Sequence, residues 1–143
     1  MKTVSLVILT FLICFSSTAN ADTIKPFTSD GCSAFPDGTL TQNNLWFGCC
    51  KKHDFAYWQG GTKEQRLASD KALKKCVAKV GKPHIAKLML TGVRVGGTPY
   101  LPTSFRWGYG WSYPRFYGKL SAAEQQQVNG MVKKLKETVI SRS

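Results

Sequence analysis

From Thr41 to Trp58 the chain repeats at a spacing of four: Leu45, Cys49, His53 and Tyr57 fall on one face of a predicted helix. Gly60-Gly61 stops it. Thr62-Lys63-Glu64-Gln65 reads as a capping box, with Thr62 as N-cap and Gln65 three residues on. It opens a second helix to about Val80, whose faces are marked by Leu67, Asp70, Leu73 or Lys74, and Val77. Gly81 ends that helix, and Pro83 suits the first turn of a third, short one. Its inner side is expected to hold Ile85, Leu88, Met89 and Gly92. Ser121-Ala122-Ala123-Glu124 is a second capping box. The helix behind it turns Val128, Met131 or Val132, Leu135 and Val139 inward, and Lys133, Lys134 and Lys136 outward.

Two stretches lack a helical period. Residues 22–40 carry Pro26, Gly31, Pro36 and Gly38 and read as an ordered loop. Residues 96–118 are rich in glycine, proline and aromatic side chains, which predicts irregular structure with room for one small hairpin. There are no internal repeats. The expected fold is mainly α, with two central helices joined by the Gly-Gly turn and therefore antiparallel.

The beginning of the chain has another character. Met1-Lys2 is followed by an apolar run from Val4 to Phe15 and then by Ala19-Asn20-Ala21. That is the form of a signal peptide, residues 1–21, cut after Ala21 to leave one domain, 22–143. The run is shorter than the roughly 20 apolar residues a membrane span needs. The expected location is secreted or periplasmic. Cleavage removes Cys14 and leaves Cys32, Cys49, Cys50 and Cys76, which in an exported chain reads as two disulfides. Three pairings are open.

The 143 residues are 43% hydrophobic, enough for one packed domain. Twenty Lys and Arg against eight Asp and Glu give a formal charge of +12. An ordinary near-neutral cytosolic enzyme is excluded as the default. The charge points to an anionic partner: a phospholipid surface, nucleic acid or an acidic glycan. Export and the lack of a reader motif count against nucleic acid. With eight acids and two histidines, candidates for acid–base chemistry are few.

They concentrate in Cys49-Cys50-Lys51-Lys52-His53-Asp54. Cys49 and His53 share one helix face, and Cys50 and Asp54 the adjacent one. The neighbouring cysteines therefore need different partners. If Cys49 pairs with Cys76, His53 lies four residues forward, about 6 Å of rise, and Asp70 six residues back, about 9 Å. The two then meet at similar heights on facing helices. Asp70 can fix the imidazole tautomer while the other nitrogen takes a proton. Tyr57 can reach the same carboxylate. If Cys32 pairs with Cys50, Asp30 is carried towards Asp54, and two carboxylates with loop carbonyls make an oxygen-rich site that favours Ca²⁺.

Cys49-Cys50-x-x-His53-Asp54-x-x-Tyr57, followed by Asp70 and Cys76, resembles the core of the secreted phospholipase A2 superfamily. Ser29-Asp30-Gly31-Cys32-Ser33-x-x-Pro36-Asp37 is similar to the calcium loop of its prokaryotic and fungal branch. The resemblance covers residues 29–76. It implies a phospholipase A2-like core of two disulfide-linked antiparallel helices plus a calcium loop, here with an extra C-terminal helix and an aromatic loop. It implies Ca²⁺-dependent hydrolysis of the sn-2 ester of glycerophospholipids, with His53 activating water and Asp70 orienting His53. Asp54, the Asp30 carboxylate and the Gly31 carbonyl would bind Ca²⁺, and Tyr57 would support Asp70. The implied partner is an anionic phospholipid surface, and the chain is read as a monomer. The chain departs from the animal enzymes in lacking their glycine-rich calcium loop and N-terminal interfacial helix. A further family disulfide is also missing, with Ala56 and Ser69 at its two positions.

Plainer readings exist for the same residues. His53 alone could be a buried structural histidine, and the cysteines with His53 could hold Zn²⁺. Export and the absence of paired C-x-x-C spacing weigh against zinc. Asp30 and Asp37 could cap turns. His84 reads as a surface residue. The stretch Arg106-Trp107-Gly108-Tyr109-Gly110-Trp111 could be packing, or could suit a headgroup interface. The rival function is a non-catalytic basic membrane-binding protein on the same scaffold.

Overall fold

A computed structural model describes residues 22–141; the leader predicted at 1–21, its cut after Ala21 and Cys14 lie outside the described residues. The chain is mainly helical, with α1 at Phe47–Gln59, α2 at Lys63–Lys79, α3 at Pro83–Gly96 and α4 at Ala122–Ile140. Among the described residues there is no strand, so the hairpin allowed within 96–118 does not form. No helix among them is long and apolar enough to cross a membrane.

Both capping boxes form. Thr62 accepts from the Gln65 N–H while the Gln65 side chain accepts from the Thr62 N–H, and Ser121 and Glu124 repeat the exchange. Helix α1 is shorter than the spacing predicts, starting at Phe47 rather than Thr41. Polar residues ahead of it make turns instead: Thr39 Oγ1 accepts from the Gln42 N–H, and the Gln42 and Asn44 carbonyls accept from Leu45 and Phe47.

Disulfides join Cys32 to Cys50 and Cys49 to Cys76. The second locks α1 to α2. Cys49 bonds Cys76 while His53, further along α1, meets Asp70, earlier on α2, so the two helices are antiparallel. Around this bridge lies one core cluster, with Trp46, Leu73, Val77, Ala86 and Met89.

Helix α3 packs against α2 and buries Ala86 and Met89. The expected inner face is corrected here: Leu88 and Gly92 are exposed, because the packed face lies around Ala86, Met89 and Val93. Helix α4 rests on a second cluster of Ile24, Trp58, Trp111 and Val128. Val139 is exposed, against expectation, because the last turns of α4 run past the residues it packs on.

The aromatic loop is mostly a cap for α1. The last carbonyls of a helix have no partner within it. Here Gly108 N–H donates to Tyr57, Gly110 N–H to Trp58 and Trp111 Nε1 to Gln59, while Trp107 Nε1 donates to Gly61 in the connecting turn. Trp107 and Trp111 are fully buried in doing so, which removes both indoles from any headgroup interface.

Candidate active site

His53 is buried on α1 with its Nε2 at 2.9 Å from Asp70 Oδ1. Asp70, on α2, has no exposed surface. An ionised Asp70 accepts, so His53 carries its proton on Nε2 and keeps Nδ1 as the basic nitrogen. Nδ1 makes no hydrogen bond among the described residues, and the ring lines a cavity. Tyr57, one turn further along α1, donates to the same Oδ1 at 2.7 Å. Burial, then the Asp70 charge, push the Tyr57 phenol above its usual value, so it stays a donor.

Two arginines complete the Asp70 environment. Arg94 Nη1, from α3, donates to Oδ2 at 2.7 Å, and Arg66 Nε stands 3.9 Å from the same oxygen. Arg66 is almost wholly buried and donates to Tyr57 Oη, Tyr117 Oη and the carbonyls of Val93 and Arg94. It ties α1, α2, α3 and the aromatic loop at one point. Burial alone would raise the Asp70 carboxyl. Hydrogen bonds from His53, Arg94 and Tyr57 outweigh it and hold the group below the ordinary carboxylate range. Gly97 makes room for this cluster, since a Cβ there would lie 2.5 Å from the Tyr57 ring.

Asp54 sits on the adjacent face of α1 and accepts from Ser29 Oγ at 2.6 Å. Burial pushes its carboxyl up to about 6. The Ser29 hydrogen bond and the His53 charge oppose that rise, and Asp30 and Asp37 add to it. Asp30 is itself exposed and accepts from Ser33 Oγ at 3.0 Å. Gly31 is buried at φ 81°, and the Asp37 carboxylate packs where a Cβ would stand and accepts the Cys32 N–H at 2.8 Å. Asp37 thus shapes the loop as a turn-capping acid does.

Asp54 is a partly buried carboxylate pushed up mainly by burial, with smaller contributions from Asp30 and Asp37, and positive charge beside it would relieve that. Asp54, Asp30 and the Gly31 carbonyl are the oxygens that would hold a hard cation there. Among the described residues no three His, Cys, Asp or Glu side chains stand together as a ready metal cluster. Main-chain oxygens would have to complete any such site.

His53 and Asp54 open onto a cavity of about 500 Å³. Its walls are largely apolar, with Phe35, Leu73, Leu88, Met89, Val95 and Phe105 among them. A largely apolar cavity with a few polar groups converging on it is the usual form of a small-molecule site. His84 is exposed, as expected.

The spacing argument does not reach Arg66, Arg94 or Ser29. Arg66 had a signal, since it precedes Asp70 by four on α2. Arg94 had none, because its placement depends on how α3 rolls on α2. No protein-family model, curated protein or solved structure matches the chain.

Proposed function

We propose that this chain is a secreted, calcium-dependent phospholipase A2 that hydrolyses the sn-2 ester of glycerophospholipids. The observation that carries the reading is His53 Nε2 at 2.9 Å from Asp70 Oδ1, on a ring that opens into an apolar cavity beside Asp54. The crosslinked antiparallel helices and the disulfide-anchored loop support membership of the phospholipase A2 superfamily. The disulfides suit an oxidising compartment.

The chemistry needs few groups. His53 Nδ1 takes a proton from water as that water attacks the ester carbonyl. Asp70 stabilises the imidazolium and holds its orientation, and Tyr57 and Arg94 hold Asp70. The proton then passes to the departing alcohol oxygen, giving a fatty acid and a lysophospholipid, with no acyl-enzyme. Asp54, Asp30 and the Gly31 carbonyl would hold Ca²⁺. When bound, it supplies positive charge for the lipid phosphate and for the negative charge growing at the carbonyl.

The test is fatty-acid release from defined liposomes, with Ca²⁺ or with chelator. Wild type with Ca²⁺ releases fatty acid; chelator, His53→Gln and Asp54→Asn each abolish release. A wild type that is inert with Ca²⁺ present refutes the reading and leaves the non-catalytic membrane binder.

A further inference from the structure

Phe35 lines two cavities. The first holds His53 and Asp54. The second is an open cleft of about 570 Å³ between the loop 35–43 and the start of α3, and it shares no other residue with the first. Its apolar surface comes from Phe35, Leu40, Trp46 and Ile85. Trp46 donates its indole N–H to the Pro36 carbonyl at 2.6 Å, so the ring has only apolar surface left to offer. Leu40, in the turn 39–42, stands wholly in solvent.

The charge at the cleft is one-sided. Lys82 and His84 line it, and neither side chain makes a hydrogen bond or ion pair among the described residues. The one acid on its wall, Asp37, already accepts the Cys32 N–H at 2.8 Å and packs against Gly31. Apolar walls with a few free polar groups at one place are the form of a small-ligand site, and the volume lies within the range of about 300–1,000 Å³ that such sites span. Lys82 and His84 can both donate, and Lys82 is a cation. The complementary ligand is therefore apolar along its length and anionic at one end.

We infer that this cleft is a second, non-catalytic binding site for a single-chain amphiphile with an anionic head. The head meets Lys82 and His84. The chain lies over Phe35, Trp46 and Ile85, and Leu40 covers it. A fatty acid, the acid that ester hydrolysis at His53 would release, has this form. Naming the fatty acid rests on the lipid-ester reading of the His53 cavity; the cleft and its charge do not.

The experiment uses protein exported with its own leader, in chelator, with dodecanoate below its micelle concentration. Bromine on the chain quenches an indole it touches, and of the four tryptophans only Trp46 lines the cleft. Bromododecanoate quenches wild-type emission saturably. Trp46→Phe loses that quenching, while calorimetry still shows dodecanoate bound. Lys82→Glu combined with His84→Glu weakens binding about tenfold, the loss expected for charge-assisted hydrogen bonds. Leu40→Asp, at a side chain wholly in solvent in the free protein, weakens it about fivefold. Dodecylammonium, with the opposite charge, binds about tenfold more weakly than dodecanoate. Leu88→Asp, on the wall of the His53 cavity and not of the cleft, leaves the quenching unchanged. Circular dichroism checks that each variant folds. Three results overturn the inference: no saturable quenching of wild type; quenching that survives Trp46→Phe or is removed by Leu88→Asp, which puts the chain in the His53 cavity; or an affinity indifferent to Lys82→Glu with His84→Glu. Binding in the cleft without fatty-acid release from liposomes keeps the site and refutes the esterase reading alone.

Discussion

Arg94 and His53 hold opposite oxygens of one buried carboxylate: Arg94 Nη1 donates to Asp70 Oδ2 at 2.7 Å, and His53 Nε2 meets Oδ1 at 2.9 Å. The arginine comes from α3 and the histidine from α1. The carboxylate is thereby fixed in rotation as well as position. It also presents less net negative charge to the imidazole than a lone aspartate would.

Replacing Arg94 with Met leaves Oδ2 with only Arg66, at 3.9 Å. Truncating one partner of a buried charged pair costs about 3–5 kcal/mol. Arg94 is about one-third exposed, and solvent screens part of the loss, so we expect about 1–3 kcal/mol. Urea unfolding of Arg94→Met and Arg94→Lys measures it, with the lysine variant keeping part of the stability. In the liposome assay Arg94→Met should lower kcat more than it raises KM, because the cavity wall is untouched.

The same carboxylate sets an acid limit. Asp70 is held below its ordinary range, so the folded state binds its proton less readily than the unfolded chain. The unfolded reference is about 3.9. The stability Asp70 contributes is therefore complete above about pH 4 and is lost as pH falls through the depressed folded value. Urea midpoints from pH 7 to pH 2 should drop steeply below 4 in wild type. Asp70→Asn should start lower and show a shallower drop. Parallel profiles for the two proteins would remove Asp70 from the account.

The Cys49–Cys76 bridge closes 27 residues of sequence. Chain entropy assigns such a loop about 3.5 kcal/mol. The double replacement Cys49→Ser, Cys76→Ser should lose roughly that in urea unfolding. It should also weaken hydrolysis beyond the stability loss, because the bridge sets the height at which His53 meets Asp70. A folded double variant with full activity would show that Tyr57, Arg66 and Arg94 hold the pair without the bridge.

How much of this was legible follows from how local each signal is. The capping boxes at Thr62 and Ser121 depend on four consecutive residues, and both form as read. The meeting of His53 and Asp70 depends on helical rise and one conditional crosslink, so it too could be argued from spacing. The start of α1 was misplaced because the spacing of Leu45 continues a pattern that Gln42 and Asn44 break with turns. The roll of α3 was beyond reach. Its apolar residues cover two faces, and periodicity cannot say which meets α2 and which lines the cavity. Arg94 and Leu88 were both lost to that one ambiguity. The role of Trp107 and Trp111 as caps of α1 depends on contacts about fifty residues apart, which no local pattern encodes.

Asp54 gives the last prediction, in two parts of opposite sign. Its carboxyl is pushed up to about 6 by burial, with Asp30 and Asp37 adding to the effect. At pH 8 without metal the folded protein carries that charge at a cost, and each pKa unit corresponds to about 1.4 kcal/mol. Asp54→Asn removes the charge and keeps an acceptor for Ser29, so the metal-free variant should be more stable than wild type by about 1–3 kcal/mol at pH 8. Calcium should reverse the order. A ligand at a hundred times its Kd stabilises the folded state by about 2.7 kcal/mol, a rise in Tm on the order of 10 °C for a chain this short. Wild type should gain that shift and Asp54→Asn should not. Thermal unfolding of both proteins, with Ca²⁺ and with chelator, measures the two parts together. An equal calcium shift in both would place the cation elsewhere. A less stable metal-free Asp54→Asn would mean that the carboxylate contributes to the fold rather than burdening it.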